Sequence, residues 1–301
     1  MRSANSKAIL AWLSISIIWG TTYLAIRIGV ADLPPLLFAG IRWITASSIL
    51  IIYFLIRKEK FPSPKELVHL GIIGISLLGI ANALVVVAEI WVPSGVTALI
   101  ITTLPFWMVG LESLIPSGPK LNWRIVLGLM IGICGVLIIF GNNFAQLLNT
   151  DYLVGVLALI GGVTAWSAGS LYSKYKKINV RPLMGATMQM LIAGLAQATL
   201  GLILGEAGDF HLHGNSLLAL LYLIIAGSLI GYTSYIYALE HLPAAFVSTY
   251  AYINPVIALF LGWLILDEEI NWYIGIAAVI ILIGVAFVKS GSRIPIKDKS
   301  I

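Results

Sequence analysis

The chain has 301 residues, of which 59% are hydrophobic and 10% charged, with a mean hydropathy of +0.99 and a formal net charge of +5. Soluble domains carry roughly a quarter charged residues, so the composition excludes an ordinary water-soluble globule and indicates a polytopic membrane protein. The basic excess reads as an orientation signal and not as a nucleic-acid surface, so no nucleic-acid partner is expected.

Charges fall in clusters that leave apolar stretches of about twenty residues, enough to cross a hydrocarbon core of about 30 Å. In chain order, spans are predicted at 8–30, 34–56, 67–90, 94–115, 122–141, 152–173, 182–205, 216–239, 242–266 and 271–289. MRSANSK followed by an apolar run resembles a signal peptide, but the run continues through Arg27 without a small-residue cleavage site, so a retained first helix is expected. Short connections rich in breakers (DLPP, EKFPSPKE, VPSG, IPSGPK, GNN, EHLP) separate the spans. The lone cysteine, Cys134, lies inside the fifth span, so no intrachain disulfide forms.

Lysine and arginine set the topology. Sixteen of the 18 basic residues fall on one side, in the N-terminus, the connections between spans two–three, four–five and six–seven, and the tail. The opposite connections hold none, and collect Asp32, Asp151, Glu206, Asp209, Asp267, Glu268 and Glu269. Both termini are therefore expected in the cytoplasm.

The chain also repeats itself. WGTTYLAIR (Trp19 to Arg27) aligns with WSAGSLYSK (Trp166 to Lys174), and PLLFAGIRW (Pro35 to Trp43) with PLMGATMQM (Pro182 to Met190). VPSGVTALIITTLPFW aligns with LPAAFVSTYAYINPVI, setting Pro105 against Pro255, and LNWRI with INWYI. Each half holds five spans, an odd number, so the second half enters the membrane from the opposite side. Inverted repeats of this kind put a transporter's substrate site near midplane where they meet.

The Trp19–Gly20 pair, the PP…AGIRW start of span two, VPSG…LP in spans three–four, and YINPVIALFLGWLILDEE make the chain resemble EamA-type members of the drug/metabolite transporter superfamily over nearly all its apolar length. That resemblance implies an all-α fold of ten transmembrane helices in two five-helix EamA repeats. It also implies transport, usually export, of small metabolites such as amino acids, from the bacterial inner membrane. The units expected are 1–141, a linker 142–151 on the side away from the cytoplasm, 152–289, and a cytoplasmic tail 290–301.

Arg42 lies about eight residues beyond Pro34, roughly 12 Å deep at 1.5 Å per residue. A charge there needs a partner: either Glu89, as a structural pair, or an anionic substrate group such as a carboxylate. Arg27 and Glu89 sit within about a turn of the outer face and read either as a gate pair or as two snorkelling residues. Glu112 and Glu240 read as interfacial. Trp19, Trp107 and Trp166 lie inside their spans, away from the interfacial belt. With Tyr23, Asn82, Tyr232, Tyr235, Tyr250 and Asn254 they supply the apolar walls and few polar tips of a small-molecule pocket, or else the hydrogen bonds of helix packing. Gln189, aligned with Arg42, is a weaker candidate. Tyr250 and Asn254, at i and i+4, share a helix face, whereas their first-half counterparts are Ile100 and Leu104.

Gly128 and Gly132 form a GxxxG that serves either packing within the chain or a homodimer contact. His211 and His213 beside Asp209 and Glu206 offer metal-ligand types in what reads as a solvated loop, and no metal or cofactor is expected. No HExxH, GxSxG or P-loop occurs, which argues against an intramembrane hydrolase and against ATP-driven transport. The alternatives to an exporter are a bidirectional facilitator or importer and, from another class, a non-transporting membrane scaffold or receptor.

Overall fold

The computed structural model describes residues 2–92, 94–116, 118, 121–140, 150–266 and 272–291. The expected linker over 142–149, the acidic turn 267–271, Lys120 and the tail 292–301 lie outside the described residues.

The described residues are helical, in ten rods. The first three are α1 (Arg2–Asp32), α2 (Pro35–Ile56) and α3 (Pro64–Ala88). The fourth rod is split into α4 (Ser94–Ile101) and α5 (Leu104–Ser113), and the fifth is α6 (Trp123–Phe140). Then come α7 (Thr150–Tyr175), α8 (Pro182–Ile203) and α9 (Gly214–His241). A second split rod, α10 (Ala244–Val247) with α11 (Tyr250–Leu266), precedes α12 (Trp272–Gly291).

Six of these helices are long and apolar enough to cross a membrane: α1, α2, α3, α7, α8 and α9. The fourth and ninth rods miss that length because each is broken. α6 and α12 contribute shorter apolar stretches, Trp123–Gly135 and Gly275–Val288. Large apolar side chains remain exposed on the outer surface, among them Ile56 at 74%, Leu202 at 59% and Ile203 at 74%. In water that surface would be a liability; in lipid it is the solvent-facing side. The protein is an integral membrane protein.

The ends of the helices are set by local chemistry. Pro35, Pro64 and Pro182 each open a helix, where the missing N–H costs nothing. Ser63 and Glu66 form a capping box on α3, with Ser63 N 2.8 Å and Ser63 Oγ 2.7 Å from Glu66 Oε2. α2 lacks a side-chain cap of its own, and receives one from the other half of the chain. Glu206 accepts from Leu36 N at 3.2 Å and Leu37 N at 2.7 Å, so an anion sits at the positive end of that helix. Glu206→Ala is expected to lower stability by about 1 kcal/mol, read as a downward shift of the thermal unfolding midpoint in detergent.

Packing follows the internal repeat. α2 lies along α8, and α6 along α12, the equivalent helices of the two halves. α1 packs on α9 and α11, while its counterpart α7 packs on α3 and on α4 and α5. The glycines of α6 are spent on this packing. A Cβ on Gly128 would lie 2.7 Å from Gly284 O, and one on Gly284 would lie 2.7 Å from Gly128 O and 2.8 Å from Gly132 N. This close approach brings α6 and α12 of the same chain together, so the GxxxG motif lends no support to a homodimer.

The two prolines aligned by the repeat do not make equivalent bends. The fourth rod breaks at Thr102 and Thr103, and Pro105 lies in the first turn of α5. The ninth rod breaks earlier, at Ser248 and Thr249, and Pro255 lies within the continuous helix α11. Pro105 thus costs no hydrogen bond, whereas Pro255 deprives the Ala251 carbonyl of its helical donor. A symmetry the sequence did not suggest replaces it: α3 and α9 each widen into a π-helical stretch, over Ile75–Asn82 and Leu223–Tyr232.

A central cavity lined from both halves

The wider π turns matter because of what they carry. In a π-helix the hydrogen bonds run i to i+5 and carbonyls turn outward, a geometry frequent at functional sites. In α9, Ser228 Oγ donates back to Leu223 O at 3.0 Å and accepts from Arg42 Nε at 2.8 Å. The neighbouring Gly227 O accepts from Trp19 Nε1 at 3.2 Å. Glycines leave room for both side chains: a Cβ on Gly227 would lie 2.8 Å from an Arg42 terminal nitrogen and displace it, and one on Gly231 would lie 2.5 Å from Trp19 Nε1. In α3, Asn82 closes the other π stretch and accepts from Trp43 Nε1 at 3.1 Å.

Between these elements lies a cavity of about 80 Å³, room for several waters. Trp19, Tyr23, Arg42 and Asn82 line it from the first half, and Trp166 and Tyr250 from the second. Trp19 is the hub of its wall. Its ring meets Trp166 edge-on at 5.4 Å and Tyr250 edge-on at 5.0 Å, with Tyr235 at 5.2 Å, the separations aromatic pairs favour.

The other sequence candidates are not on the wall. Tyr235 stands behind it, with its hydroxyl taking the Trp166 Nε1 proton at 2.9 Å and lying 2.6 Å from Ser170 Oγ. Tyr232 donates to Gln189 Oε1 at 2.7 Å, which also accounts for Gln189. Asn254 is buried against α1, its amide nitrogen donating to Tyr250 O at 3.1 Å and Ser16 O at 3.2 Å while its side chain bonds Tyr23. It shares the Tyr250 face of α11 and meets the wall through Tyr23 without lining the cavity itself. Trp107 packs against the core away from the cavity. Trp43 and Thr22 line the cavity and were missed. Trp43 ends the AGIRW motif next to Arg42, so its position in that motif was the available signal.

The charges also rearrange the sequence expectations. Arg42 is 3% exposed and is not paired with Glu89; its guanidinium lies over the Trp43 ring at 4.1 Å. Among the described residues one carboxylate–cation bridge forms, Arg181–Glu59 at 3.0 Å. Arg27 does reach the end of α3, but through the main chain: it donates to the carbonyls of Glu89 and Ile90. Lys174, which the repeat aligns with Arg27, does the same at the end of α9, donating to Leu239 O at 3.0 Å and Leu242 O at 2.6 Å. A cation at a helix C-terminus opposes the exposed carbonyls and the helix dipole. Glu112 is buried and accepts from Tyr175 at 2.8 Å, whereas Glu240 is exposed.

Glu89 is fully buried, and neither of its carboxyl oxygens has a hydrogen-bond partner. Glu89→Gln removes no bond and buries a neutral amide, so stability is expected to stay within about 1 kcal/mol of the parent. Arg27→Ala, which uncaps two carbonyls, is expected to cost roughly 1–3 kcal/mol. Paired thermal unfolding of the two variants checks the contrast.

The model of the EamA-like transporter family matches residues 6–141 and again residues 153–290. The chain belongs to the EamA-like transporter family. It is a membrane transporter of that family and not an enzyme. Among its relatives is the uncharacterized inner membrane transporter YedA of Escherichia coli K12, 33% identical over 283 residues, covering 93% of this chain and 90% of the relative. The uncharacterized transporter YoaV of Bacillus subtilis is 28% identical over 290 residues, 93% of this chain and 95% of its own length. A solved crystal structure superposes with a TM-score of 0.78 over 96% of this EamA chain and 98% of its own, at 21% identity, a likeness of fold alone.

Proposed function

We propose that this EamA chain is a secondary transporter that exports small organic metabolites across a bacterial inner membrane by alternating access. Residues 1–141 and 152–289 act as two five-helix units of opposite orientation, ten spans in all, with both termini and the tail from residue 290 in the cytoplasm. The split fourth and ninth rods and the shorter α6 and α12 then complete the ten spans, their broken or short segments tolerated because neighbouring helices cover them. The one-sided distribution of lysine and arginine supports the orientation, as the name of the Escherichia coli relative supports the location.

The observation that carries the reading is the cavity. Its walls come from both halves of the repeat, it is mostly aromatic, and it holds few polar groups, as small-molecule sites do. α1 and α7, each packed on the other half, are placed to move with one unit against the other. Trp19, Tyr23, Arg42, Asn82, Trp166 and Tyr250 are the residues that touch substrate. Tyr232, Tyr235 and Asn254 support them, and Arg27 with Lys174 fastens the ends of α3 and α9.

The test compares solutes in cells and medium with and without the protein, followed by flux of the compounds found in proteoliposomes. The reading expects a compound to rise inside cells and fall in the medium when the protein is lost. No solute crossing faster than in protein-free liposomes, over a broad metabolite panel, would favour the scaffold alternative.

A further inference from the structure

We propose that the cavity takes a small organic acid, held by its carboxylate against Arg42. The inference rests on the transport reading of the same cavity and adds the chemistry of what is carried. Arg42 lines that cavity, yet it is 3% exposed and forms no ion pair among the described residues. A guanidinium offers five N–H donors in a planar fork. One of them is given to the Ser228 hydroxyl at 2.8 Å, and the Trp43 ring face lies against the group at 4.1 Å. A hydroxyl and a ring face stabilise a cation without neutralising it. The charge is compensated when an anion enters the space beside it, and the fork matches a carboxylate with two parallel bonds.

The rest of the wall narrows the choice. Trp19, Trp166, Tyr23 and Tyr250 present rings, which suit an apolar or aromatic body. A phosphate, carrying more than one negative charge near neutral pH, would meet this single cation and leave charge uncompensated. The Asn82 carbonyl oxygen already accepts from Trp43. A single carboxylate on an apolar body therefore fits both the charge and the aromatic lining of the cavity. The carboxylate belongs either to a plain organic acid or to an amino acid.

Gly227 is the positioning residue. Its missing side chain leaves room for a terminal nitrogen of Arg42, which a Cβ would approach to 2.8 Å. Gly227→Ala shifts the fork without removing its charge.

The test uses purified full-length protein in detergent with phenylacetate, phenylacetamide, phenethylamine and phenylalanine. Binding is read as thermal stabilisation and as quenching of tryptophan fluorescence. Phenylacetate or phenylalanine, or both, should bind, and phenylacetamide and phenethylamine should bind at least tenfold more weakly. Whichever of the two carboxylates binds identifies the source, a plain acid or an amino acid. Arg42→Gln should abolish the preference for carboxylate over amide, Arg42→Lys should weaken it, and Gly227→Ala should reduce it several-fold in a protein with an unaltered unfolding profile. Equal binding of acid and amide, or a preference that survives Arg42→Gln, overturns the proposal. So does binding of none of the four to folded protein. In each of these cases, flux of some other solute class in proteoliposomes would leave the transport reading standing.

Discussion

Replacing Arg42 by alanine is expected to cut transport roughly 10- to 100-fold while the protein still inserts and purifies. The size follows from losing charge-assisted hydrogen bonds to substrate, worth about 1.5–3 kcal/mol. The tolerance follows from what Arg42 does not do. It holds no carboxylate among the described residues, so its removal strands no counter-charge there. Among the described residues its polar partners are the Ser228 hydroxyl and the Trp43 ring face, and the Ser228 hydroxyl retains its bond to Leu223 O. A structural arginine would give the opposite pattern, with the unfolding midpoint falling steeply and residual protein transporting normally. Arg42→Lys keeps the charge but loses the planar fork, and is expected to fall between parent and alanine. Initial rates in proteoliposomes, normalised to inserted protein, together with detergent unfolding curves, check both halves of this expectation.

Gly284→Val is expected to be the more damaging substitution for the fold, by about 3 kcal/mol or more. The atoms a side chain would meet there are Gly128 O, Gly132 N and the Gly132 Cα, all backbone and all within 3.0 Å. No rotamer change relieves a collision with main chain, so α6 and α12 must separate, and overpacking of this kind costs at least 1–3 kcal/mol. Helices in lipid gain little from hydrophobic exclusion and depend on close contact, so the separation is not offset. Gly275→Val, on the same helix with open space around it, serves as the control and should leave the unfolding midpoint unchanged. Measured yields and midpoints for the two variants decide the matter.

Much of this architecture was legible in the sequence because membrane insertion imposes long apolar runs, and the repeat writes the same five-helix pattern twice. The equivalence of Arg27 and Lys174 also followed from alignment, although their role did not. Both hold main-chain carbonyls at a helix end, and a sequence shows side chains more readily than exposed carbonyls. The π-helical stretches of α3 and α9 left no periodic mark, because a single widened turn changes the register by one residue within an already apolar run. Gly227 and Ser228 were hidden for that reason, though they seat Trp19 and Arg42.

The cavity was partly legible. Mid-span tryptophans and polar tips marked Trp19, Tyr23, Arg42, Asn82, Trp166 and Tyr250, which line it. The same signal also selected Tyr232, Tyr235 and Asn254, which face neighbouring helices instead. Residue type alone does not separate the two groups, since a buried hydroxyl is satisfied equally well by substrate or by protein. Alignment of the prolines did not carry over to conformation: Pro105 begins a helix, and Pro255 lies within one.

In the proposed transport cycle, one cavity between the two halves opens to each side of the membrane in turn. Thr22 lines that cavity at 6% exposure, and the lone Cys134 is exposed on the outer surface of its helix. The direct measurement is labelling of a Thr22→Cys, Cys134→Ser protein by membrane-impermeant maleimide, applied from either face of oriented vesicles. The account predicts labelling from both faces, slowed by a transported solute. Labelling from one face only, or labelling from both that no transported solute slows, would contradict it.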